Sequence, residues 1–207
     1  MFGIIDYGTF VLTCVLLNLI PGADTMYILS RSMSQGRSAG LYSALGITAG
    51  TIIHTLLAAL GLSLLLVKSI VAFTIVKWLG AAYLIYLGVK MFRDKSQFGN
   101  IEHISGGSNK RTLFVQGMLT NVMNPKVALF FLSFIPQFIN PSDSTALTFV
   151  LLGFTFTMTG FIWSVVIASI AGVLSGKLQK NQSISHYLNK IMGSILVLLG
   201  IKLFASK

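Results

Sequence analysis

The chain is poor in charge, and above all in acids. Only 10% of its 207 residues are charged, and five Asp and Glu stand against fifteen Lys and Arg. A soluble domain is about a quarter charged. Together with 54% apolar residues and a mean hydropathy of +0.82, this excludes an ordinary soluble domain. A basic excess suggests nucleic-acid binding in a soluble protein; here it indicates basic cytoplasmic loops. We therefore expect a lipid bilayer, and no nucleic acid, around this chain.

Motifs of enzymes and metal proteins are also missing. Cys14 is the single cysteine, which excludes an intrachain disulfide and a thiolate metal cluster and leaves core packing as its predicted role. The sequence has no Walker-type phosphate loop, no zinc-ligand cluster, and no G-x-S-x-G or H-E-x-x-H motif. We predict no cofactor, no metal, no catalytic residue and no enzymatic activity.

Long charge-free stretches predict an all-α polytopic membrane protein. The clearest are residues 7–23, 38–67 and 144–176, and a membrane-spanning helix needs about 20 apolar residues. The two longer stretches hold one span each with its turns, but not two spans. We predict six transmembrane helices, at about 6–32, 40–66, 71–92, 113–139, 145–174 and 185–205.

The basic residues predict how these helices are oriented. Ten lie in the loops 1–2, 3–4 and 5–6, and four lie on the opposite side. Because Lys and Arg are enriched in cytoplasmic loops, these three loops are predicted to be cytoplasmic and both termini outside. If helix 1 does not cross, the protein has five spans and its N-terminus lies inside. The polar segment 95–112 is predicted to be a cytoplasmic linker between residues 1–94 and 113–207.

The two halves resemble each other. Residues 87–92 read LGVKMF and residues 199–204 read LGIKLF. Further matching residues occur in the same order along the two halves. These matches pair Gly50 with Gly160, Asn18 with Asn121, and Pro21 with Pro125. Three spans in each half would make the second copy enter the membrane from the opposite side. This is the inverted-repeat plan of secondary transporters, in which one repeat rocks against the other.

Helices 1 and 4 are predicted to be interrupted at Pro21-Gly22 and Asn124-Pro125. Proline removes a backbone donor and glycine weakens a helix, and such breaks inside a membrane must be buried or face water. Asp24 and Lys126 lie beside the breaks, although a charge at mid-membrane costs about 3 kcal/mol. A structural reading makes Asp24 a first-turn acid that pairs with Lys126 in a buried salt bridge.

A functional reading explains more of this pattern. Helix N-termini at the two breaks would point N–H groups at a carboxylate, Lys126 would add positive charge, and Asp24 would bind an ammonium or exchange it for a proton. That constellation fits a zwitterion with an α-amino and an α-carboxyl group. The candidate substrate-binding or coupling residues are Asn18, Asp24, Thr25, Asn121, Asn124 and Lys126. His54 is a candidate proton relay, with a hydrogen bond between helices as the alternative.

Several motifs resemble the lysine exporter (LysE/RhtB) family, the amino-acid and homoserine efflux proteins of bacteria. The resemblance runs nearly end to end, and it departs at Ala23, where the family usually has a second proline. The residues that carry it are 21–25 (PGADT), 34–40 (SQGRSAG), 45–47 (LGI), 77–84 (KWLGAAYL), 86–88 (YLG), 119–121 (LTN) and 124–128 (NPKVA).

The resemblance implies a six-helix exporter of the bacterial cytoplasmic membrane, driven by an ion gradient through proton exchange. By motif, it places the site at Pro21, Gly22, Asp24, Asn121, Asn124, Pro125 and Lys126. Since Asp24 is the one acid placed clearly within the membrane, neutral substrates such as homoserine, threonine or leucine are favoured. The alternatives are export of another small solute or cation on the same scaffold, and a non-transporting membrane scaffold. Homo-oligomerisation is left open.

Overall fold

The computed structural model describes residues 3–62, 70–93, 108–140 and 145–180, and nine helical positions between 190 and 204. This part of the chain is helical and contains no strand. The first interruption falls where Pro21 predicts it: α1 (Tyr7–Leu19) and α2 (Ala23–Gln35) meet at a bend of 50°. Helix α3 (Arg37–Leu57) follows Gly36 and ends in a π-helical turn, and α4 is Ile70–Arg93.

The second interruption falls at Asn124-Pro125. Helix α5 (Lys110–Val122) is followed by α6 (Pro125–Leu129), which continues through a π-helical turn and a 3-10 turn to Phe138. The two parts bend by 48°. Helix α7 is Ala146–Lys180. Both bends place non-helical backbone inside otherwise apolar segments, where it needs partners from elsewhere in the protein.

The described residues contain two unbroken helices that are long and apolar enough to cross a membrane, Arg37–Leu62 and Ala146–Ala171. Each bent pair passes the same test as one span, which makes up to four. The predicted helix 4, which is the first helix of the second half, thus corresponds to α5 and α6. The predicted helix 185–205 falls largely outside the described residues, although nine of its positions are helical.

Several predicted boundaries differ from the observed ones by three residues or more, including the end of the first bent segment at Gln35 and the start of α3 at Arg37. Helix α7 continues to Lys180, beyond the predicted end at 174, because lysines end a membrane span but are good helix formers. Helix α5 begins at Lys110, within the predicted linker 95–112, since the Asn109 side chain caps it by accepting from the Thr112 N–H at 2.8 Å. Most of that linker lies outside the described residues.

An aromatic core joins α1, the π-helical turn after α6, and α7. Phe10, Phe130 and Phe156 are at most 5% exposed, and the rings of Phe130 and Phe156 stack at 4.3 Å. Cys14 packs in the same core and is a free thiol, as its predicted packing role requires. Large apolar side chains such as Leu60 point outward, which suits a surface that faces lipid.

Glycines bring α3 close to α5. A Cβ added at Gly50 would lie 2.7 Å from the Cβ of Asn121, and one added at Gly117 would lie 2.6 Å from the Ser43 carbonyl oxygen. No side chain fits in these gaps, so the backbones approach as small-residue contacts between membrane helices allow. This approach holds Asn121, at the second break, against the face of α3.

The beginning of the chain lies against the end of the second bent segment. The Ile5 N–H donates to the Phe138 carbonyl at 2.9 Å, and the Asn140 N–H donates to the Gly3 carbonyl at 2.7 Å. Ile4 and Ile139 form an isolated antiparallel bridge between these bonds. The entrance to α1 and the exit from the turn after α6 are therefore at the same end of the molecule.

Candidate functional site

Asp24 lies in the first turn of α2, directly after the first break. Its Oδ2 accepts a hydrogen bond from Asn121 Nδ2 at 2.8 Å, and its Oδ1 is buried with no hydrogen-bond partner among the described residues. The N-cap of α2 is Gly22, which provides no side-chain acceptor for the first N–H groups, and those groups lack partners inside any helix. A carboxylate and a helix start without a side-chain cap therefore lie side by side at the first break.

Asn121, at the end of α5, connects this carboxylate to two other elements. It is 1% exposed. Its Oδ1 accepts from Thr51 Oγ1 at 3.3 Å, and its main-chain carbonyl lies 3.2 Å from His54 Nε2. Because a carbonyl only accepts hydrogen bonds, this nitrogen of His54 carries the proton in that contact. Asn121 holds α2, α3 and α5 together around Asp24.

Lys126 reaches across to the first break. Its Nζ donates to the carbonyl of Ile20 at 2.9 Å and to that of Leu17 at 3.3 Å. Pro21 has no N–H to bond the carbonyl four residues before it, which is that of Leu17. The ammonium thus satisfies carbonyls that the proline leaves open, at the negative end of the α1 dipole.

This placement corrects the structural reading of the sequence, in which Lys126 forms a salt bridge with Asp24. In the part of the chain that is described, the two side chains make different hydrogen bonds and no direct ion pair. The four-carbon stem of Lys126 carries its charge away from the N-terminus of α6, where a cation is disfavoured, to the carbonyl end of α1. Asp24 Oδ1 therefore has no hydrogen-bond partner among the described residues, although Lys126 and the Asn124 side chain lie near enough to interact with the carboxylate electrostatically.

Asn124 closes the start of the second half-helix. It is 4% exposed, and its Oδ1 accepts from the Lys126 N–H at 3.0 Å, with Pro125 at the first helical position. Proline at that position loses no hydrogen bond because the first N–H groups are free in any case. At this break, therefore, the Asn124 side chain already accepts a hydrogen bond from a backbone N–H that is predicted to face a substrate carboxylate.

Five of the predicted binding residues line one cavity: Asn18, Asp24, Thr25, Asn121 and Lys126. Asn124 is buried beside it, and His54 is 7% exposed behind Asn121, stacked on the ring of Phe131 at 5.7 Å. Asn18 also donates to Thr159 Oγ1 at 3.1 Å, which ties the first break to α7.

The cavity walls also contain residues that the motifs did not indicate. Helix α3 contributes Thr48 and Thr51, and α7 contributes Thr157, Trp163 and Ser164. The hydroxyls of Thr48 and Thr157 bond to main-chain carbonyls of their own helices, at 2.8 Å and 2.7 Å. Hydroxyl residues spaced one or two turns apart on an apolar helix are the signal that could have found them.

The cavity between these groups is narrow. It measures about 40 Å³, and a water needs roughly 10–15 Å³ on this measure, so there is room for a few waters and not for an amino acid. Its walls include one carboxylate and one ammonium. No group of three His, Cys, Asp or Glu in the described residues could hold a metal ion. A larger ligand requires the surrounding helices to move apart.

Comparisons with known proteins agree with these features. A family model described as LysE type translocator matches residues 15–207. The chain is 38% identical to the membrane protein YrhP of Bacillus subtilis, over 89% of this chain and 91% of that protein. It is 30% identical to the homoserine/homoserine lactone efflux protein of Salmonella typhi, over 96% and 95% of the two chains.

A leucine efflux protein of Enterobacter sp. is 28% identical, over 95% of this chain and 93% of that protein. No solved structure matches the chain. The family match covers both helix breaks, the residues that line the cavity and nearly all the remaining sequence. The chain belongs to the LysE family of translocators, and it is a membrane transport protein rather than an enzyme.

Proposed function

We propose that the protein exports neutral amino acids or close derivatives from the bacterial cytoplasm, in exchange for protons, by alternating access. The observation that carries this proposal is the Asp24 carboxylate in a narrow cavity at a helix break, where its Oδ1 has no hydrogen-bond partner among the described residues. Relatives named as efflux proteins for homoserine and for leucine support the substrate class.

The chemistry of the cavity suits a zwitterion. The ammonium of the substrate binds Asp24 Oδ1, and its carboxylate binds the free N–H groups at the start of α2, with Lys126 nearby. One acid and one base line the space, so a substrate with no net charge keeps the balance. A lysine-like side chain would bring a second positive charge, for which the described walls offer no second acid.

The same carboxylate can couple transport to protons. Asp24 binds either a proton or the substrate ammonium, and the exchange between them makes export depend on the proton gradient. His54 is the candidate relay because it contacts Asn121, which in turn contacts Asp24. The alternative role of His54 is the interhelical hydrogen bond itself, and replacing it with Gln separates the two, since Gln keeps a donor and cannot carry a proton.

Reciprocal contacts support the inverted repeat. A Cβ at Gly50 would lie 2.8 Å from Asn121 Oδ1, and one at Gly160 would lie 3.2 Å from Asn18 Oδ1. The sequence repeat pairs Gly50 with Gly160 and Asn18 with Asn121, so exchanging the halves turns the first contact into the second. A two-fold relation between the halves produces such a pair.

The third helices of the two halves also make contacts that are exchanged when the halves are exchanged. A Cβ at Gly88 would meet positions 193 and 197, and one at Gly200 would meet positions 81 and 85. With 88 paired to 200, the partners lie seven and three residues before the matching glycine in both cases. The register also makes the two segments antiparallel, which is the relation that inverted repeats require.

The contact between the N-terminal residues and the end of the second bent segment supports six spans. In the six-span arrangement, Ile4 and Ile139 are both outside; in the five-span alternative, they lie on opposite sides of the membrane. Their pairing therefore favours a helix 1 that crosses, with both termini outside. A homo-oligomer is compatible with this arrangement.

Export from bacterial cells tests the proposal. Cells loaded with dipeptides, with and without the protein, are compared by measuring every amino acid in the medium. We expect outward accumulation of one or two neutral amino acids that collapses when a protonophore removes the proton gradient. No change in any amino acid, with the protein present in the membrane, would contradict it; sensitivity to metal salts would favour cation export instead.

A further inference from the structure

We propose that Arg31 forms a second substrate site, which binds the carboxylate of the amino acid before it reaches Asp24. This inference rests on the proposed function and adds a carboxylate site to it. Asp24 and Arg31 are seven residues apart on α2, which is two turns along one face and about 10 Å. Arg31 lies toward the end of α2 that is predicted to be cytoplasmic, so a substrate that leaves the cytoplasm meets it first.

Arg31 is a buried cation held by neutral groups. It is 5% exposed. Its Nη2 donates to Gln116 Oε1 at 2.7 Å and its Nη1 to Ser108 Oγ at 3.3 Å. The guanidinium lies 5.4 Å from the centre of the Tyr27 ring. No carboxylate pairs with Arg31 within the residues that the structure describes.

Two donors around this cation remain unused. Arg31 Nε and Gln35 Nε2 are buried and have no hydrogen-bond partner in the described part of the chain. They belong to residues four apart on α2, which are neighbours on one face of the helix. The other end of Gln35 is fixed, because its Oε1 accepts from the Ser108 N–H at 3.0 Å. Both free groups are donors, so the missing partner is an acceptor.

A carboxylate is the acceptor that fits. Transferring a charged side chain from water to the protein interior costs free energy unless an opposite charge compensates it. A guanidinium binds a carboxylate through two parallel hydrogen bonds. A fixed acid would hold Arg31 permanently in one state. A substrate carboxylate supplies the same charge only while it passes, so the site can bind and release it in each cycle.

The position of Gln116 links this site to helix movement. Gln116 of α5 accepts from Arg31 and also from the Tyr27 hydroxyl at 3.3 Å, and the same hydroxyl donates to the Leu113 carbonyl at 3.1 Å. These bonds join α2 to α5, two turns along α2 from Asp24 in the cavity. A carboxylate that draws Arg31 away from Gln116 weakens this junction and favours opening of the path to Asp24.

Competition in proteoliposomes tests the inference. The purified protein exchanges labelled leucine, and the inhibition constants of unlabelled leucine and of leucinamide, which lacks the carboxylate, are measured in the same preparation. Arg31→Gln should raise the inhibition constant of leucine about tenfold, which is the scale of a lost hydrogen bond to a charged group. It should leave the inhibition constant of leucinamide nearly unchanged. Arg31→Lys, which keeps the charge without the planar fork, should fall between.

Arg37→Gln is the matched control, because Arg37 carries the same charge six residues later, at the start of α3, but is exposed; it should change neither constant. The ratio of the two constants does not depend on how much protein folds. Equal weakening of leucine and leucinamide in Arg31→Gln, or no weakening of either, would overturn the inference. Wild-type protein that exchanges no amino acid would overturn the proposed function and this site with it.

Discussion

The two helix breaks are built from the same residue types but treat their free backbone groups differently. At the first break, Lys126 covers the carbonyl end of α1, while α2 begins at Gly22 without a side-chain cap and Asp24 keeps a free oxygen. At the second break, Asn124 caps the start of α6. The first break therefore lacks a side-chain cap and keeps an unpaired acceptor, whereas the second has a capped helix start and keeps one side-chain donor, Asn124 Nδ2, without a partner among the described residues.

The difference shows how similar residues can serve two purposes. Pro125 corresponds to Pro21 in the predicted repeat, but the residue after each proline differs: Gly22 provides no side-chain cap for α2, and the Lys126 ammonium reaches from the second break to the first. The second break supports the first in two ways, through Lys126 and through the Asn121 amide on Asp24. We expect substitutions at the first break to affect transport most, and substitutions at the second to affect stability as well.

The largest effect is expected for Asp24→Asn. The amide preserves the size of the side chain and an oxygen for Asn121, but it cannot bind an ammonium by charge or exchange it for a proton. Export should fall to the level of cells without the protein, while the amount in the membrane and the melting temperature stay near wild type. Asp6→Asn, at an exposed acid, is the control and should export normally. Normal export by Asp24→Asn would remove this residue from the mechanism.

Lys126→Met should reduce both stability and export. Methionine keeps the length of the side chain but leaves the carbonyls of Leu17 and Ile20 without their donor. Since an unsatisfied buried group costs about 1–3 kcal/mol, the loss of the donor to two carbonyls should lower the free energy of unfolding by about 2–6 kcal/mol. Unfolding of the purified protein in detergent measures it, with exposed Lys90→Met as the control. Unchanged stability would mean that the two carbonyls do not need Lys126.

Asn124→Ala tests the capped side of the comparison. Loss of a side-chain N-cap costs about 1 kcal/mol, and Asn124→Ser should recover most of it because a hydroxyl can accept the same bond. Asn109→Ala removes a similar cap from α5, where the side chain accepts from Thr112, and should cost about as much. We expect a raised KM for export in Asn124→Ala alone. If Asn109→Ala raises KM equally, lower stability explains both.

The positions of the breaks could be predicted from sequence, because proline removes a donor wherever it occurs. The partner of Lys126 could not, since its flexible stem can reach either Asp24 or the carbonyls of α1, and only the fold selects between them. The cavity-lining hydroxyl groups of α3 and α7 could not be predicted either, for another reason. Thr157 bonds the Gly153 carbonyl of its own helix, so in sequence it looks like an ordinary residue of an apolar span.

Gly22→Ser should have the smallest effect on stability and gives the most direct test of the open helix start. A serine at the N-cap accepts from the first free N–H groups, and its exchange for glycine changes stability by only a few tenths of a kcal/mol. A Cβ there would lie 3.3 Å from Lys126 Nζ, the end of a flexible side chain that can shift.

If those N–H groups bind the substrate carboxylate, the new hydroxyl competes with it, and KM for export should rise severalfold while the melting temperature stays the same. Gly8→Ser is the control, because a Cβ at Gly8 has no atom within 4 Å. An unchanged KM in Gly22→Ser would assign carboxylate binding in the cavity to Lys126 alone. In that case Asp24 would be the only substrate-binding feature that distinguishes the first break from the second. The absence of a side-chain cap at Gly22 would then serve only the close packing of Gly22 against Lys126.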